Sequence, residues 1–141
     1  MTHPAHDLFL AAREVAKRAY APYSNDFRVG AAIRSTSGAI HVGCNIENVA
    51  FPEGWCAETS AIAHMITAGD TQIAEVVVYG EKRERITPCG GCRQRLREFA
   101  SADARLHLCD HGGIVETMTM AQLLPGAFDM DDAGDDEGGE A

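Results

Sequence analysis

The stretch CAETSAIAHMITAGDTQIAEVVVY, residues 56–79, decides the fold. Cys56 to Ala68 reads as a helix, stopped by Gly69, the residue type that most easily takes a left-handed cap. Val76-Val77-Val78-Tyr79 follows as a short, continuous apolar run, the pattern of a strand covered on both faces. Upstream, Phe27, Val29, Ala31 and Ile33 alternate as on a half-buried strand. Ser35-Thr36-Ser37-Gly38 makes a turn, and Ile40, Val42 and Cys44 alternate again, so the two runs form a hairpin. Before them, Pro4 to Tyr20 carries Leu8, Ala11, Ala12, Val15 and Ala19 at helical spacing, with Pro4 at its start and Pro22 ending it. Downstream, Gly90 to Ala100 is a third helix and Arg105 to Cys109 a strand. Asp110-His111-Gly112-Gly113 turns into Ile114 to Thr117, a connection too short for a parallel crossover, so the last two strands are antiparallel. Residues 120–124 add a helical turn before Pro125. The pattern predicts an α/β fold: a five-stranded mixed sheet with helices on its faces.

The chain has 141 residues, which one compact domain can hold. A chain of that length buries roughly two-thirds of its unfolded surface and does not depend on disulfides. The expected division is a single domain over residues 1–128 and an acidic tail over 129–141 that cannot bury apolar surface. Acidic residues number 21 and basic ones 12, a net charge of −9. Seven of the acidic residues lie from Asp129 onward, leaving 14 against 12 in the body. No basic stripe is present, which argues against nucleic acid as a partner. No apolar run approaches the ~20 residues of a membrane span, and the N-terminus lacks the pattern of a secretory signal. The expected compartment is the cytoplasm.

Five cysteines, Cys44, Cys56, Cys89, Cys92 and Cys109, form an odd set that argues against a disulfide framework. Cys56-Ala57-Glu58 opens one predicted helix, and Pro88-Cys89-Gly90-Gly91-Cys92 opens another. Cysteines three apart at a helix start project to one side, and positive helix ends favour thiolates. Two such starts facing each other bring three sulfurs together. Three protein ligands and an open fourth position are the pattern of a catalytic zinc site. Glu58, in the first helical turn, stands beside such a metal without coordinating it. Cys44 and Cys109 fall in strands and read as buried, inert thiols. The six histidines show no paired ligand spacing.

The order Cys-x-Glu then Pro-Cys-x-x-Cys is that of zinc deaminases. The chain resembles the small zinc-dependent cytidine deaminases that assemble as homotetramers. The resemblance runs from Tyr20 to Phe128. It is carried by Ala21-Pro22-Tyr23-Ser24, Val29-Gly30-Ala31-Ala32, Gly43-Cys44-Asn45-Ile46-Glu47-Asn48, the two cysteine motifs with Arg93-Gln94, and Leu123-Leu124-Pro125-Gly126-Ala127-Phe128. It implies a three-layer cytidine deaminase-like fold and hydrolytic deamination of free cytidine and deoxycytidine, a step of pyrimidine salvage. It implies one Zn²⁺ per chain on Cys56, Cys89 and Cys92, with Glu58 as proton shuttle. Asn45 and Glu47 would bond the ribose 3′-hydroxyl, Phe27 would pack on the pyrimidine, and the backbone around Ala57 would read the base. Phe128 would close over the base in a neighbouring subunit's site.

Four positions depart from the family pattern. Thr59 stands where the family has Arg after the catalytic Glu, and Arg93 is expected to supply the missing positive charge. Phe51 replaces a Tyr, Trp55 replaces a smaller residue, and Ser24-Asn25-Asp26-Phe27 holds one residue more than the usual spacing. Two alternatives stay open: a deaminase of another aminopyrimidine nucleoside or an aminonucleoside antibiotic, and a zinc-stabilised binding module without catalysis.

Overall fold

The computed structural model describes residues 2–130, so the expected tail from residue 131 onward lies outside the described residues. In chain order the elements are α1 (His6–Ala16), β1 (Val29–Ser35), β2 (Ile40–Cys44), a 3-10 turn (Phe51–Glu53), α2 (Ala57–Thr67), β3 (Ile73–Gly80), α3 (Gly90–Phe99), β4 (Ala100–Cys109), β5 (Ile114–Thr119) and α4 (Met120–Leu123). The strands make one sheet in the order β2-β1-β3-β4-β5. β3 and β4 are parallel, joined through α3, and every other pairing is antiparallel, including β4 with β5. This is the mixed sheet the sequence predicts. Among the described residues no helix is long and apolar enough to cross a membrane.

Three layers result. On one face α1 sets Leu8, Phe9, Ala12 and Ala16 against Ala32, Val77, Tyr79 and Cys109. On the other, Ala57, Ala61, Ile62 and Met65 of α2, Leu96 of α3 and Leu123 of α4 cover Val29, Ala31, Ile33, Val76, Val78 and Leu106. Two glycines set how closely helices approach the sheet. A Cβ on Gly30 would stand 2.1 Å from the Ala12 carbonyl oxygen in α1, and one on Gly43 would stand 2.2 Å from the Ala61 nitrogen in α2. Both contacts are with backbone, which cannot give way as a side-chain tip can.

Several boundaries differ from expectation. α1 ends at Ala16, not Tyr20: Lys17, Arg18 and Ala19 tighten into three-residue turns. Tyr20 then donates to the Asn45 carbonyl and accepts from the Glu47 N–H, so tertiary pairing ends the helix before Pro22 can. β1 is an interior strand, paired on both edges and buried on both faces, because the small residues Gly30 and Ala32 lie under α1. β4 begins at Ala100, and its pairing with β3 jumps from Ile73–Ala100 to Glu75–Arg105, leaving an exposed irregular stretch that no apolar pattern marks.

A polar network ties β1, β3, β4 and β5 together. Glu75 accepts from Arg34 Nε at 2.8 Å and lies 2.8 Å from His107 Nε2. His107 Nδ1 faces the Thr117 hydroxyl at 2.8 Å, and Arg34 reaches on to Asp7 in α1 at 2.7 Å. Burial pushes the His107 pKa below its ordinary value, against the pull of the Glu75 carboxylate. At Glu75 burial acts upward, but the bonds from His107 and Arg34 outweigh it and hold the carboxyl low. Both shifts have one sign for folding. As pH falls below the ordinary histidine value of about 6.5, and then through the carboxylate range, the unfolded chain takes up protons before the folded one. Stability from this pair is therefore complete above about pH 6.5 and is lost as pH drops through the two lowered values. Urea unfolding from pH 7.5 to 4 is expected to show a midpoint that falls with pH. His107→Gln is expected to flatten that slope, and an unchanged slope would contradict the assignment.

Candidate active site

Cys56 and Cys89 occupy equivalent places. Each is the N-cap of its helix in extended conformation, with φ −72° and ψ 158° at Cys56 and φ −67° and ψ 168° at Cys89. Neither side chain caps the helix by a hydrogen bond to the backbone, so both sulfurs are free to point elsewhere. Gly90 and Gly91 carry the chain into α3, and Cys92 follows within the first turn. The sulfurs of Cys56, Cys89 and Cys92 lie within 4.8 Å of one another. Cys92 is fully buried, whereas Cys56 and Cys89 are exposed.

This donor set fits a zinc ion. One tetrahedral ion with thiolates at about 2.3 Å needs sulfurs about 3.8 Å apart, and soft thiolates at two positive helix ends are the donors zinc prefers. Cys92 bonds to Cys56, which raises the Cys92 thiol and lowers that of Cys56. Metal binding displaces such a proton.

Glu58 lies in the first turn of α2 and is only 4% exposed. Burial raises its pKa, opposed by hydrogen bonds from its own backbone N–H and from Cys92. A carboxyl whose charged form is disfavoured by burial holds a proton more readily than an exposed one. A cleft of about 240 Å³ opens over the cluster, with Phe27, Val29 and Ile86 as apolar lining and Asn45, Thr87, Cys56, Ala57, Glu58 and Cys89 completing it. Phe27 lines it despite the extra residue before it. Asn25 and Asp26 absorb the insertion with φ of 58° and 60°, a left-handed conformation that Asn and Asp tolerate better than most residues.

The remaining predicted residues are placed differently. Asn45 lines the cleft but is held at both ends of its amide: Oδ1 accepts from the Val29 N–H and Nδ2 donates to the Phe27 carbonyl, each at 2.9 Å. Glu47 accepts from the Tyr23 and Ser24 N–H groups at 2.8 and 3.1 Å and from the Ser24 hydroxyl. It lines a separate concavity of about 240 Å³ with Tyr23, Asn48 and Phe51. Phe128 is 72% exposed and away from the cleft of its own chain; Gln94 donates to its carbonyl, and Arg97 pairs with Asp129 at 2.6 Å. Arg93 turns its guanidinium to backbone, donating to the Pro88 and Leu123 carbonyls at 2.8 Å each. Thr59 Oγ1 lies 3.7 Å from Cys92 Sγ, a contact the sequence reading did not foresee. Ile86 and Thr87 were also missed, although their place just before Pro88-Cys89 was a usable signal.

Three sulfurs with a buried carboxylate beside them, under a small cleft, are what a metal-dependent hydrolase needs, and that is the class this fold and site define. Residues 3–107 match the family described as the cytidine and deoxycytidylate deaminase zinc-binding region. A cytidine deaminase of Sporosarcina psychrophila is 37% identical over 125 residues, spanning 89% of this chain and 91% of its relative. One from Mycoplasma genitalium is 40% identical over 115 residues, covering 81% and 87%. The crystal structure of cytidine deaminase from Burkholderia pseudomallei superposes with a TM-score of 0.82 at 39% identity, over 91% of this chain and all of that one. The chain belongs to the cytidine and deoxycytidylate deaminase family and is a zinc enzyme.

Metal analysis of the purified protein is expected to give one zinc per chain. Cys92→Ala, which removes the buried sulfur, is expected to drop the content well below one; a variant still holding a full equivalent would exclude Cys92 as a ligand.

Proposed function

We propose that the chain hydrolyses the exocyclic amine of free cytidine and deoxycytidine, giving uridine or deoxyuridine and ammonia, as a step of pyrimidine salvage in the cytoplasm. The observation that carries this reading is the clustering of Cys56, Cys89 and Cys92 beside buried Glu58, with Cys56, Cys89 and Glu58 lining the same cleft as Phe27 and Asn45. The catalytic unit is a single domain over residues 1–128.

Cys56, Cys89 and Cys92 hold the zinc. When bound, zinc supplies Lewis acidity that makes water nucleophilic near neutral pH. Glu58 manages the protons. It accepts one as water oxygen bonds to C4 of the cytosine ring and gives it to N3; it then takes the second proton, from the new C4 hydroxyl, and passes it to the amine, so that ammonia leaves as the C4–N bond breaks and the C4 carbonyl forms. Its burial suits the task, since a carboxyl with a raised pKa gives and takes a proton at little cost. Phe27 packs on the ring and the Ala57 backbone reads the base edge. Asn45 and Glu47 bond the ribose 3′-hydroxyl, which favours a free nucleoside over a nucleobase. Arg93 directs its guanidinium to the Pro88 and Leu123 carbonyls, and its clamp on Pro88 fixes the loop that carries Cys89.

The chain works as a homotetramer. Large apolar side chains lie open on the single chain: Phe51 and Phe128, each 72% exposed, and Trp55 and Tyr23, each 49%. Exposed apolar surface of this kind marks an interaction face, and Phe128 reaches the base in a neighbour's cleft.

Ultraviolet-monitored deamination by the zinc-loaded protein tests the reaction. Cytidine is expected to convert to uridine. Glu58→Gln is expected to keep its zinc and lose about 10²–10⁴-fold or more in turnover. Near-normal turnover would overturn the role of Glu58, and no conversion by the native protein would overturn the substrate. For the assembly, sedimentation is expected to give four chains per particle. Phe128→Ala and Glu58→Gln chains, each nearly inactive alone, are expected to regain activity when mixed and reassembled. Recovery requires that one chain's Phe128 serve another's Glu58; a mixture that stays inactive would refute the shared site.

A further inference from the structure

The three sulfurs are not equally solvated. Water reaches Cys56 and Cys89, but Cys92 is closed off from it. An ionised sulfur in that position depends on protein donors, because an unpaired buried charge is strongly disfavoured. The helix N-terminus supplies part of that need. Arg93, the nearest cation in sequence, directs its donors to the Pro88 and Leu123 carbonyls.

Thr59 fills the gap. It lies three residues after Cys56 on α2, so its side chain emerges on the same helical face. Its hydroxyl is 3.7 Å from Cys92 Sγ, within reach of the larger sulfur atom. A thiolate bound to metal has no proton to give, so in the zinc form the hydroxyl must be the donor. Zn²⁺ with three thiolates sums to a net −1, and a donor to one sulfur draws part of that excess away from the metal.

The geometry points to Thr59 as a positioning residue of the metal centre, its hydroxyl donating to the Cys92 sulfur and lowering the charge that sulfur delivers to the ion. The inference rests on the reading of Cys56, Cys89 and Cys92 as the zinc ligands. A neutral hydroxyl thus does at this site, more weakly, what a cation at the same position would do. It also holds Cys92 toward α2, so that the two cysteine-bearing helix starts keep their register.

The test uses the full chain loaded with cobalt(II), whose sulfur-to-metal charge-transfer band reports how electron-rich the thiolates are. Thr59→Val keeps the shape and deletes the hydroxyl. Its band is expected to move to longer wavelength, and its zinc affinity, measured against a chromophoric chelator, is expected to fall about tenfold to a hundredfold. Thr59→Ser is expected to restore both. A Thr59→Val protein with the native band and native affinity would overturn the proposal. If that variant does not fold, the native chain decides. Loaded with cadmium-113, it is expected to show a slowly exchanging Thr59 hydroxyl proton coupled to the metal through sulfur, and lack of that coupling would overturn the proposal. A native chain that takes up no metal would overturn the three-cysteine reading and this inference with it, a result distinct from an altered band.

Discussion

Two helices begin at one place, and cysteines stand at both beginnings. The starts of α2 and α3 each present backbone N–H groups with no helical partner and a positive dipole end. Brought together alone, they would repel. Three sulfurs between them turn that repulsion into attraction once the thiols ionise, and a dication then binds the product. The rest of the fold serves this meeting. α2 can lie on β2 at this depth because Gly43 has no side chain to hold it off. α3 arrives at the same rim because it is the crossover between parallel β3 and β4, and such a crossover starts where β3 ends. Glu58 is buried beside the sulfurs because it shares the first turn of α2 with the Cys56 cap. The sulfur cluster and the buried carboxylate are thus one local structure, fixed where the two helix starts meet.

The parts legible in the sequence were those with a short period or a fixed spacing. The apolar run of β3, the hairpin of β1 and β2, and the cysteine-led starts of α2 and α3 follow from neighbours within a few residues. What escaped depends on contacts far apart in the chain. Nothing local ends α1 at Ala16; the cause is the pairing of Tyr20 with Asn45 and Glu47. The alternation in β1 reads as one buried face because alanine and glycine on the other look neutral, yet they are small so that α1 can lie on them. Arg93 follows a cysteine in sequence but extends to the loop carbonyls, where a flexible guanidinium finds well-directed acceptors. The Thr59 contact with Cys92 joins two helices and has no signature within either one.

Asn45 and Glu47 bring the two kinds of information together. Read as loop anchors, they are fully explained: one clamps the start of β1, the other the turn at Tyr23 and Ser24. Read as substrate contacts, they are already engaged, but counting donors and acceptors removes the conflict. An amide nitrogen has two N–H groups, and Asn45 commits one to the Phe27 carbonyl. Each carboxylate oxygen accepts more than one bond, so Glu47 keeps capacity after binding Tyr23 and Ser24. One spare donor and one spare acceptor match a sugar hydroxyl, which is itself both. In the ribose contact proposed above, the loop bonds would serve recognition directly. They fix both side chains before a ligand arrives, so less side-chain freedom is lost on binding. A hydroxyl-bearing substrate meets groups already oriented, and a ligand without that hydroxyl leaves them unpaired. Under the proposed ribose contact, anchoring the loop and selecting the ribose are the same act.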